Sequence, residues 1–548
     1  MTKQTQYPQR AQPFAANAAI CREQAPSSSA LHPLAWAILL AFAGSALALP
    51  SDPLLVAGQA TVSRSGPAAL LVNQSSAKAA LDWRSFNVAA NESVRFNQPS
   101  ASALTVNRVT GNDPSQILGQ ISAPGSVFLI NPAGVYFGAS AVVHVGNLIA
   151  GTLSANPREL LDGRLSFSSA PGAVAVVRND GRIETPVGGS VSLLGTQVIN
   201  AGSISTPAGT TGLIAGERIV VDFHGDGLVR YQVDAAAARA LVHNQGRIEA
   251  DGGRVALQAS AREALVDTVL NVDGIVRARG ARLRNGEIFL DAGASGVLSV
   301  SGQLDAAGAE PGASGGQVSV LGEKVGLFAG ARIDASGDAG GGRVLVGGDY
   351  QGQGGQRNAR QTYVGPDVRI VADALVSGDG GRAIVWADDW TRFSGAISAR
   401  GGERRGDGGF VEVSGKNRLH FDGRVDTSAA HGRGGSLLLD PSDLYVGGAQ
   451  QPGETSLTVN PFVALDPADP AALAGYFVST ASFSSDTRYT LQASRNIYLR
   501  ENVSFGTSGT GSPPSSVTIT AGNQIDAGGF RLATAGGALT LSAAAVVA

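Results

Sequence analysis

Asn244-Gln-Gly-Arg-Ile-Glu-Ala-Asp-Gly-Gly-Arg-Val-Ala-Leu257 contains the two short patterns from which most of this 548-residue chain is built. Each half opens with a glycine turn and continues into a few residues in which apolar and other side chains alternate. Such alternation over so few positions is typical of a β-strand with one buried face. The stretch therefore predicts two short strands joined by glycine-rich corners.

Both patterns recur along the chain from residue 179 onward. The first pattern ends at an apolar residue, successively Ile183, Ile204, Ile248, Val276, Leu304, Ile333, Ile397 and Val425. The second pattern opens with a glycine pair at Gly188, Gly252, Gly315, Gly341, Gly380, Gly408 and Gly434. The step between successive apolar ends is most often about 28 residues, and the widest step, from Ile333 to Ile397, holds an extra unit around Ile370. The spacing therefore predicts one structural unit that is repeated along the chain.

A pair of strands this short is marginal in water, because it cannot bury its apolar face alone. If successive units coil so that their strands pair in parallel, about 4.8 Å apart, the apolar residues form one continuous core. The sequence thus predicts an all-β fold, a parallel β-solenoid. A β-propeller is the structural alternative, but its repeats are usually longer, about 40 residues, and richer in aromatic residues.

Composition agrees with a repeat protein and excludes several other classes. The chain has 74 Gly, 6% aromatic and 16% charged residues, a composition that is not typical of an enzyme with a helical or mixed helix-and-strand fold. Its formal net charge of −3 gives no electrostatic reason to expect nucleic acid or an anionic membrane as a partner. The histidines are scattered without metal-ligand spacing, and no phosphate-binding loop is present, so we expect neither metal nor cofactor.

Residues 1–48 are interpreted as an extended secretory signal peptide. A polar segment with a few basic residues precedes the apolar run Leu34–Ala48, which is too short for a comfortable membrane span. Ala46 and Ala48 give the small-x-small pattern that predicts cleavage after Ala48. The only cysteine, Cys21, lies in the segment removed, so the mature chain would have no disulfide.

Phe128-Leu-Ile-Asn-Pro-Ala-Gly-Val-Tyr-Phe-Gly138 places a four-residue turn between two apolar strands. Pro132 at the second turn position fixes φ, Gly134 relieves left-handed strain, and Asn131 can hydrogen-bond its own backbone. Ala133 completes the turn. By residue chemistry alone this is an ordinary β-turn, in which Asn131 contributes one hydrogen bond worth about 1 kcal/mol.

The neighbourhood of that turn carries a family resemblance. In order, the motifs are Trp83-Arg-Ser-Phe-Asn-Val, Val94-Arg-Phe-Asn-Gln-Pro-Ser, Ala103-Leu-Thr-Val-Asn-Arg-Val-Thr-Gly, Asp113-Pro-Ser-Gln-Ile-Leu-Gly and Val127 to Gly138. Over residues 53–165 they resemble the N-terminal secretion domain of the filamentous haemagglutinin family, the passengers of two-partner secretion. The family commonly has Asn-Pro-Asn-Gly where this chain has Ala133, and an Asn-Pro-Asn-Leu motif found in part of the family has no clear match.

The resemblance implies a right-handed β-helix with N-terminal secretion-domain elaborations. It also implies a Gram-negative exoprotein that crosses the inner membrane by the Sec machinery and the outer membrane through a partner β-barrel transporter. Asn131 to Gly134 would form part of the secretion motif. The protein would end up secreted or at the cell surface, acting in adhesion on a host receptor or glycan that the residues do not identify.

The predicted domains are a signal peptide at 1–48, the secretion domain at 49–165 and β-helix repeats at 166–440. Residues 441–495 are expected to be a linker or excursion, because a Pro/Ala/Ser-rich stretch beyond Gly448 lacks the glycine pairs. Further solenoid-like strands follow at 496–548, without a visible polar cap. Whether this is a short natural passenger or a fragment stays open.

Two candidate sites compete with a purely adhesive function. Asp305 and Asp334 occupy equivalent slots beside the inward apolar residue, near the carboxylate separation that glycosidases use, so a polysaccharide-degrading β-helix is one alternative. Asp426 occupies the same slot, but so do Glu184, Glu249, Arg277 and Ser398, as at a solvated outward position, and we therefore predict no enzymatic activity.

The tripeptide Arg405-Gly406-Asp407 lies in a loop predicted to be exposed and is a weak receptor-binding candidate. A third possibility, the stalk of a contact-dependent toxin-delivery protein, would need a C-terminal effector domain.

Overall fold

The computed structural model describes residues 49–223, 228–262, 268–280, 285–308, 310–447, 477–483, 487–505, 516–534 and 536–548. These described residues form one compact unit. Its chain winds as a β-helix in which each full turn, or rung, contributes strands to three columns. We call these the long, middle and short columns, in the order in which the chain visits them within a rung.

Strands of the long column run in parallel from rung to rung: Leu104–Val109, Gln120–Ile130, Val142–Gly151, Ser190–Gly195, Thr210–Ala215, Arg254–Ala259, Glu287–Asp291, Gln317–Leu321, Arg343–Val346, Arg382–Ala387, Phe410–Gly415, Ser436–Leu439, Arg488–Ala493, Ser516–Ala521 and Ala538–Ser542.

The middle column contains Ser115–Ile117, Val135–Phe137, Val176–Asn179, Gln197–Asn200, Leu241–Asn244, Thr268–Val272, Val297–Val300, Lys324–Leu327, Gln361–Val364, Trp390–Phe393 and Arg418–Phe421. Asp443–Val446, Asn496–Leu499, Gln524–Asp526 and Ala545–Val547 form a further parallel sheet.

The short column contains Arg182–Glu184, Ser203–Ser205, Arg247–Glu249, Ile275–Arg277, Gln303–Asp305, Arg332–Asp334, Arg369–Val371, Ala396–Ser398 and Arg424–Asp426. Val503–Phe505 pairs with Leu532–Thr534 in a separate parallel pair.

This parallel register confirms the predicted β-helix and rules out the propeller alternative. The repeat residues stack directly, with Ile248 opposite Val276, Val276 opposite Leu304, and Leu304 opposite Ile333. These side chains are at most 1% exposed and belong to one core that continues along the rungs. The repeat period read from the sequence is therefore the length of one rung.

The glycine patterns mark the corners where successive rungs approach most closely. Gly209 is the first example, because an alanine Cβ there would lie 1.8 Å from the carbonyl oxygen of Gly189 one rung below. The same collision, at 2.0 to 2.2 Å, recurs at Gly253, Gly316, Gly342, Gly381, Gly409 and Gly435. A second column, Gly202, Gly246, Gly274 and Gly302, meets the preceding glycine carbonyl at 2.1 Å. These corners need glycine because no side chain fits between the rungs.

The Asn residues that open three of the repeats form a buried ladder. Asn179 donates its amide to the Oδ1 atom of Asn200, and Asn200 donates to that of Asn244, each at 2.8 Å. All three side chains are fully buried. Stacked amides satisfy one another at the rung spacing, so the ladder ties three rungs together. In the next rungs the same position is Val272 and Val300, which pack as apolar residues.

Elements outside the regular rungs gather near the N-terminal end. Strand Leu54–Ala57 pairs antiparallel with Lys78–Trp83, and Ala60–Arg64 pairs antiparallel with Ala69–Gln74. Strand Ala69–Gln74 continues in parallel to Ser93–Asn97, which joins the long column.

A short helix, Pro157–Leu161, is capped by Asn156, whose side chain accepts the backbone N–H of Arg158. An antiparallel side sheet contains Ser166–Ser168, Arg218–Phe223 and Val229–Ala235. Tyr350–Gly352 and Thr480–Ser482 are 3-10 turns.

The side sheet and the helix cover a second apolar core on the outer face of the long column. Phe128, Ile149 and Leu194 lie beneath it, and Leu160 and Phe167 cover them. All five are no more than 3% exposed. The predicted boundary at residue 165 falls inside this second core, since its members come from both sides of that position.

The predicted linker at 441–495 differs from the structure at both ends. Asp443–Val446 pairs in parallel with Asn496–Leu499, and Arg488–Ala493 pairs with Ser436–Leu439, so both belong to rungs. Asp443 begins the strand that follows Pro441, and its carboxylate accepts the backbone N–H of Asn496 on the next rung. Residues 448–476, inside the predicted linker, lie outside the described residues.

Candidate secretion-recognition turn and other candidate sites

The turn at Asn131 to Gly134 links a long-column strand to the middle-column strand Val135–Phe137. The backbone N–H of Gly134 donates to the carbonyl of Asn131 at 3.0 Å, which closes a four-residue turn as predicted. Gly134 has φ +139, and an added Cβ would lie 3.3 Å from the Cβ of Pro114. Pro132 is exposed and Ala133 half-buried, whereas Asn131 and Gly134 are buried. The turn therefore presents Pro132 and Ala133 to solvent.

Asn131 is more deeply integrated than its sequence suggests. Its amide group donates to the carbonyl of Asp113 and to the Oγ atom of Ser115, both at 3.0 Å. Its Oδ1 atom accepts the backbone N–H of Ala133, also at 3.0 Å. The residue is 0% exposed. The expectation of a single hydrogen bond is therefore wrong, because Asp113 and Ser115 supply two further partners from a segment that sequence reasoning did not place there.

The candidate catalytic carboxylates lie on adjacent rungs, with Asp305 opposite Asp334. The Asp305 carboxylate accepts hydrogen bonds from the Arg279 guanidinium at 2.7 and 2.8 Å. Asp334 is partly buried, which alone would raise its pKa, but hydrogen bonds from Ser336 and Arg332 outweigh this and lower the pKa. A glycosidase acid needs the opposite shift, so the environment of Asp334 does not suit a general acid.

The Arg405-Gly406-Asp407 tripeptide lies on a corner, where Arg405 is exposed and Gly406 has φ +127. The Asp407 carboxylate accepts the backbone N–H of Arg433 at 2.9 Å and two guanidinium hydrogen bonds at 3.0 and 2.7 Å. These interactions lower the pKa of Asp407. The carboxylate that a receptor would need already binds an arginine of the next rung.

The predicted signal-cleavage residues Ala46 and Ala48, and Cys21, lie outside the described residues. Within the described part of the chain, no group of three or more His, Cys, Asp or Glu side chains could hold a metal ion. Among those same residues, no helix has the length and hydropathy needed to span a membrane.

Sequence reasoning missed one cluster of buried polar groups, on the outer face of the long column. Glu412 is fully buried there, and Gln351, which lies in an insertion 61 residues earlier in the chain, donates its backbone N–H to the Glu412 carboxylate. The alternation in Phe410-Val-Glu-Val-Ser414 indicates only an outward, solvated glutamate. Nothing in the sequence near Glu412 identifies the insertion that covers it.

The class that the fold defines is a rung-stacked β-helical protein with antiparallel N-terminal strands, a covered second core and a partly exposed Asn-Pro-x-Gly turn. A model of the TPS (two-partner secretion) secretion domain matches residues 48–309. The crystal structure of the HMW1 secretion domain from Haemophilus influenzae matches with 31% identity and a TM-score of 0.62, covering 71% of this chain and 100% of that domain. The chain belongs to the two-partner secretion passengers of the filamentous haemagglutinin type.

Two curated relatives are heme/hemopexin-binding proteins of Haemophilus influenzae. One is 30% identical over 280 residues, which are 48% of this chain and 30% of the relative. The other is 35% identical over 126 residues, 22% of this chain and 14% of the relative. The chain thus spans less than a third of either relative. As a family member it is a secreted or cell-surface exoprotein, and its secretion domain implies a partner transporter in the outer membrane.

Proposed function

We propose that this chain is a surface-acting passenger whose rung-stacked body carries binding faces for adhesion, on a host receptor or glycan. The observation that supports this most directly is the continuous β-helix itself, which repeats similar outward strands over many rungs. Stacked repeats produce long surfaces suited to extended ligands. Export would begin with the Sec machinery, and the region of Asn131 to Gly134 would contribute to recognition by the partner transporter.

Export is tested by expressing the full chain in Gram-negative cells with and without its partner transporter. We expect extracellular or surface protein only with the transporter, and N-terminal sequencing should place the mature start at Leu49, after Ala48. A mature protein that begins at Met1, or export that is equal without the transporter, would contradict the proposal. Adherence of transporter-positive cells to host cells, compared with cells that lack the passenger, then tests adhesion.

Heme or hemopexin binding is the second candidate, supported by the names of the two curated relatives. Purified exported protein is titrated with hemin and, separately, with hemopexin. Saturable binding of either, together with absent adherence, would replace adhesion as the function.

We infer further that the chain is not an enzyme, since the paired carboxylates of Asp305 and Asp334 are already bound by Arg279, Ser336 and Arg332. The wild-type protein and the double variant Asp305→Asn, Asp334→Asn should both leave a panel of acidic and neutral polysaccharides intact, as measured by release of reducing ends. Activity in the wild type that the double variant lacks would establish the enzyme alternative.

A further inference from the structure

An insertion between two columns covers part of the outer face of the β-helix. Strand Arg343–Val346 and strand Gln361–Val364 are separated by residues 347–360, which we call the strap. The equivalent connections at 322–323, 388–389 and 416–417 have only two residues. The strap is therefore an insertion, because other rungs connect the same two columns with two residues.

Beneath the strap the outward column is apolar, unlike a solvated strand face. Leu345, Ile384 and Trp386 form a separate buried cluster there, each no more than 3% exposed. Leu345 lies opposite Ile384 on adjacent rungs. The strap glycines lie directly on the indole, since a Cβ added to Gly352 would come within 2.8 Å of the Trp386 ring. The strap therefore keeps water from an apolar surface that includes a tryptophan.

One carboxyl group lies in the middle of that surface. Glu412 lies opposite Ile384 on one side and Leu438 on the other, and is 0% exposed. The backbone N–H of Gln351 donates to both Glu412 carboxylate oxygens, at 3.1 and 3.2 Å. The Gln351 side chain donates to Asp440 at 2.9 Å. Gln351 thus connects the strap to two acidic side chains.

The backbone of the strap is held in a conformation that costs free energy. Gln351 has φ 50 and ψ 25, in the left-handed region that non-glycine residues rarely adopt. This cost is offset only while the contacts of the strap with the outer face persist. Weakening the contacts between the strap and the outer face should therefore favour release of the strap, because release also relieves the strained backbone at Gln351.

Other charged groups face the site from each neighbouring element. Arg382, on the strand next to that of Glu412, lies 5.0 Å from the Tyr350 ring centroid and 4.9 Å from that of Phe410. Arg343 pairs with Asp349 at the start of the strap, at 2.5 Å. Asp440 adds a second negative charge from the neighbouring rung. Arg382 favours the charged form of Glu412, and Asp440 opposes it.

We propose that residues 347–360 are a pH-sensitive strap, closed while Glu412 is protonated and released when Glu412 ionises, which uncovers the surface of Leu345, Ile384 and Trp386. Ionising Glu412 under the closed strap places a charge at a buried position next to Asp440, and burial opposes this more than Gln351, Ser414 and Arg382 favour it. Release lets water reach both carboxylates. Because a charged carboxylate is more stable in water, ionisation of Glu412 favours the released strap.

The direction of the pH dependence follows from the environment of Glu412. Burial raises its pKa to about 7, from an ordinary value of 4.5, against the opposing effect of the Gln351 hydrogen bond. A carboxyl whose pKa is raised in the closed state stabilises that state at low pH, and this stabilisation is lost as pH rises from 4.5 through 7. If opening restores the ordinary pKa, the opening equilibrium constant should rise by up to about 70-fold between pH 5 and pH 8.

Hydrogen exchange of the exported protein tests the proposal. Protection factors, corrected for the intrinsic pH dependence of exchange, are measured by mass spectrometry for peptides covering 347–360 at pH 5 and pH 8. We expect strap protection to fall by more than tenfold at pH 8, while peptides from strand Gln317–Leu321 keep theirs. Acrylamide quenching should rise at pH 8 more in the wild type than in Trp386→Phe, because Trp386 is the tryptophan whose ring lies against Gly352 of the strap.

Glu412→Gln is the matched variant, because it keeps the shape and the hydrogen-bond acceptor but cannot ionise. Its strap protection should be the same at both pH values. Should this variant fail to fold by circular dichroism, Glu412→Leu serves instead, since the neighbouring positions are Ile384 and Leu438. Unchanged wild-type protection between pH 5 and pH 8, or an increase in exchange that persists without the carboxyl group, would overturn the proposal.

Discussion

Gly209→Ala is expected to destabilise the β-helix by about 3 kcal/mol or more, the largest single-residue effect that we predict. The new Cβ would lie 1.8 Å from the Gly189 carbonyl oxygen. That atom belongs to the backbone of the neighbouring rung, so no side-chain rotation can relieve the collision. The φ angle of Gly209 is not positive. The alanine is therefore excluded by lack of space between rungs and not by backbone strain.

Gly355→Ala is the control for this prediction. An added Cβ at Gly355 meets no atom within 4 Å, and its φ is also not positive. Alanine there should leave stability unchanged or raise it by up to about 1 kcal/mol, since it restricts the unfolded chain. Urea unfolding followed by circular dichroism compares the two variants with the wild type. A Gly209 variant as stable as the Gly355 variant would show that the rungs can separate at this corner.

Asn131→Ala should cost about 2 to 4 kcal/mol, because it leaves the Asp113 carbonyl, the Ser115 hydroxyl and the Ala133 N–H without their partner. Asp113 lies in the loop before strand Ser115–Ile117, and Ser115 is the first residue of that strand. The packing of this strand against the turn should therefore loosen in the variant. Urea unfolding of the refolded protein measures the loss. A change below about 1 kcal/mol would show that water replaces the amide.

Asn200→Ala separates stability from recognition. It removes another fully buried asparagine, which bonds Asn179 and Asn244 in the ladder, and should cost a similar free energy of unfolding. If the partner transporter reads the secretion turn, Asn131→Ala should reduce export several-fold more than Asn200→Ala at matched expression. Equal export of the two variants would mean that Asn131 acts only in the fold, and that its proposed part in recognition is wrong.

The sequence alone determined the β-helix, because the rule that produces it is local and repeated. Each rung needs an inward apolar residue such as Ile248 and a corner glycine such as Gly246, and both recur with the period of one rung. The family, and with it export by two-partner secretion, also followed from ordered motifs around Trp83 and Phe128. Strands Asp443–Val446 and Arg488–Ala493 were assigned to a linker because the prediction depended on glycine pairs, and the sequence from 449 to 495 has none.

Only the tertiary structure decided which polar residues are buried and what covers them. Asn131 has the composition of an exposed turn residue, yet its amide partners lie 16 and 18 residues earlier in the chain. Asp407 lies in a loop that was predicted to be exposed, and only the stacking of the next rung brings Arg433 against its carboxylate. Glu412 occupies an ordinary outward position, and it is buried because an insertion 61 residues earlier folds back over it. Burial depends on which rung or insertion lies next in space, and no local pattern records that neighbour.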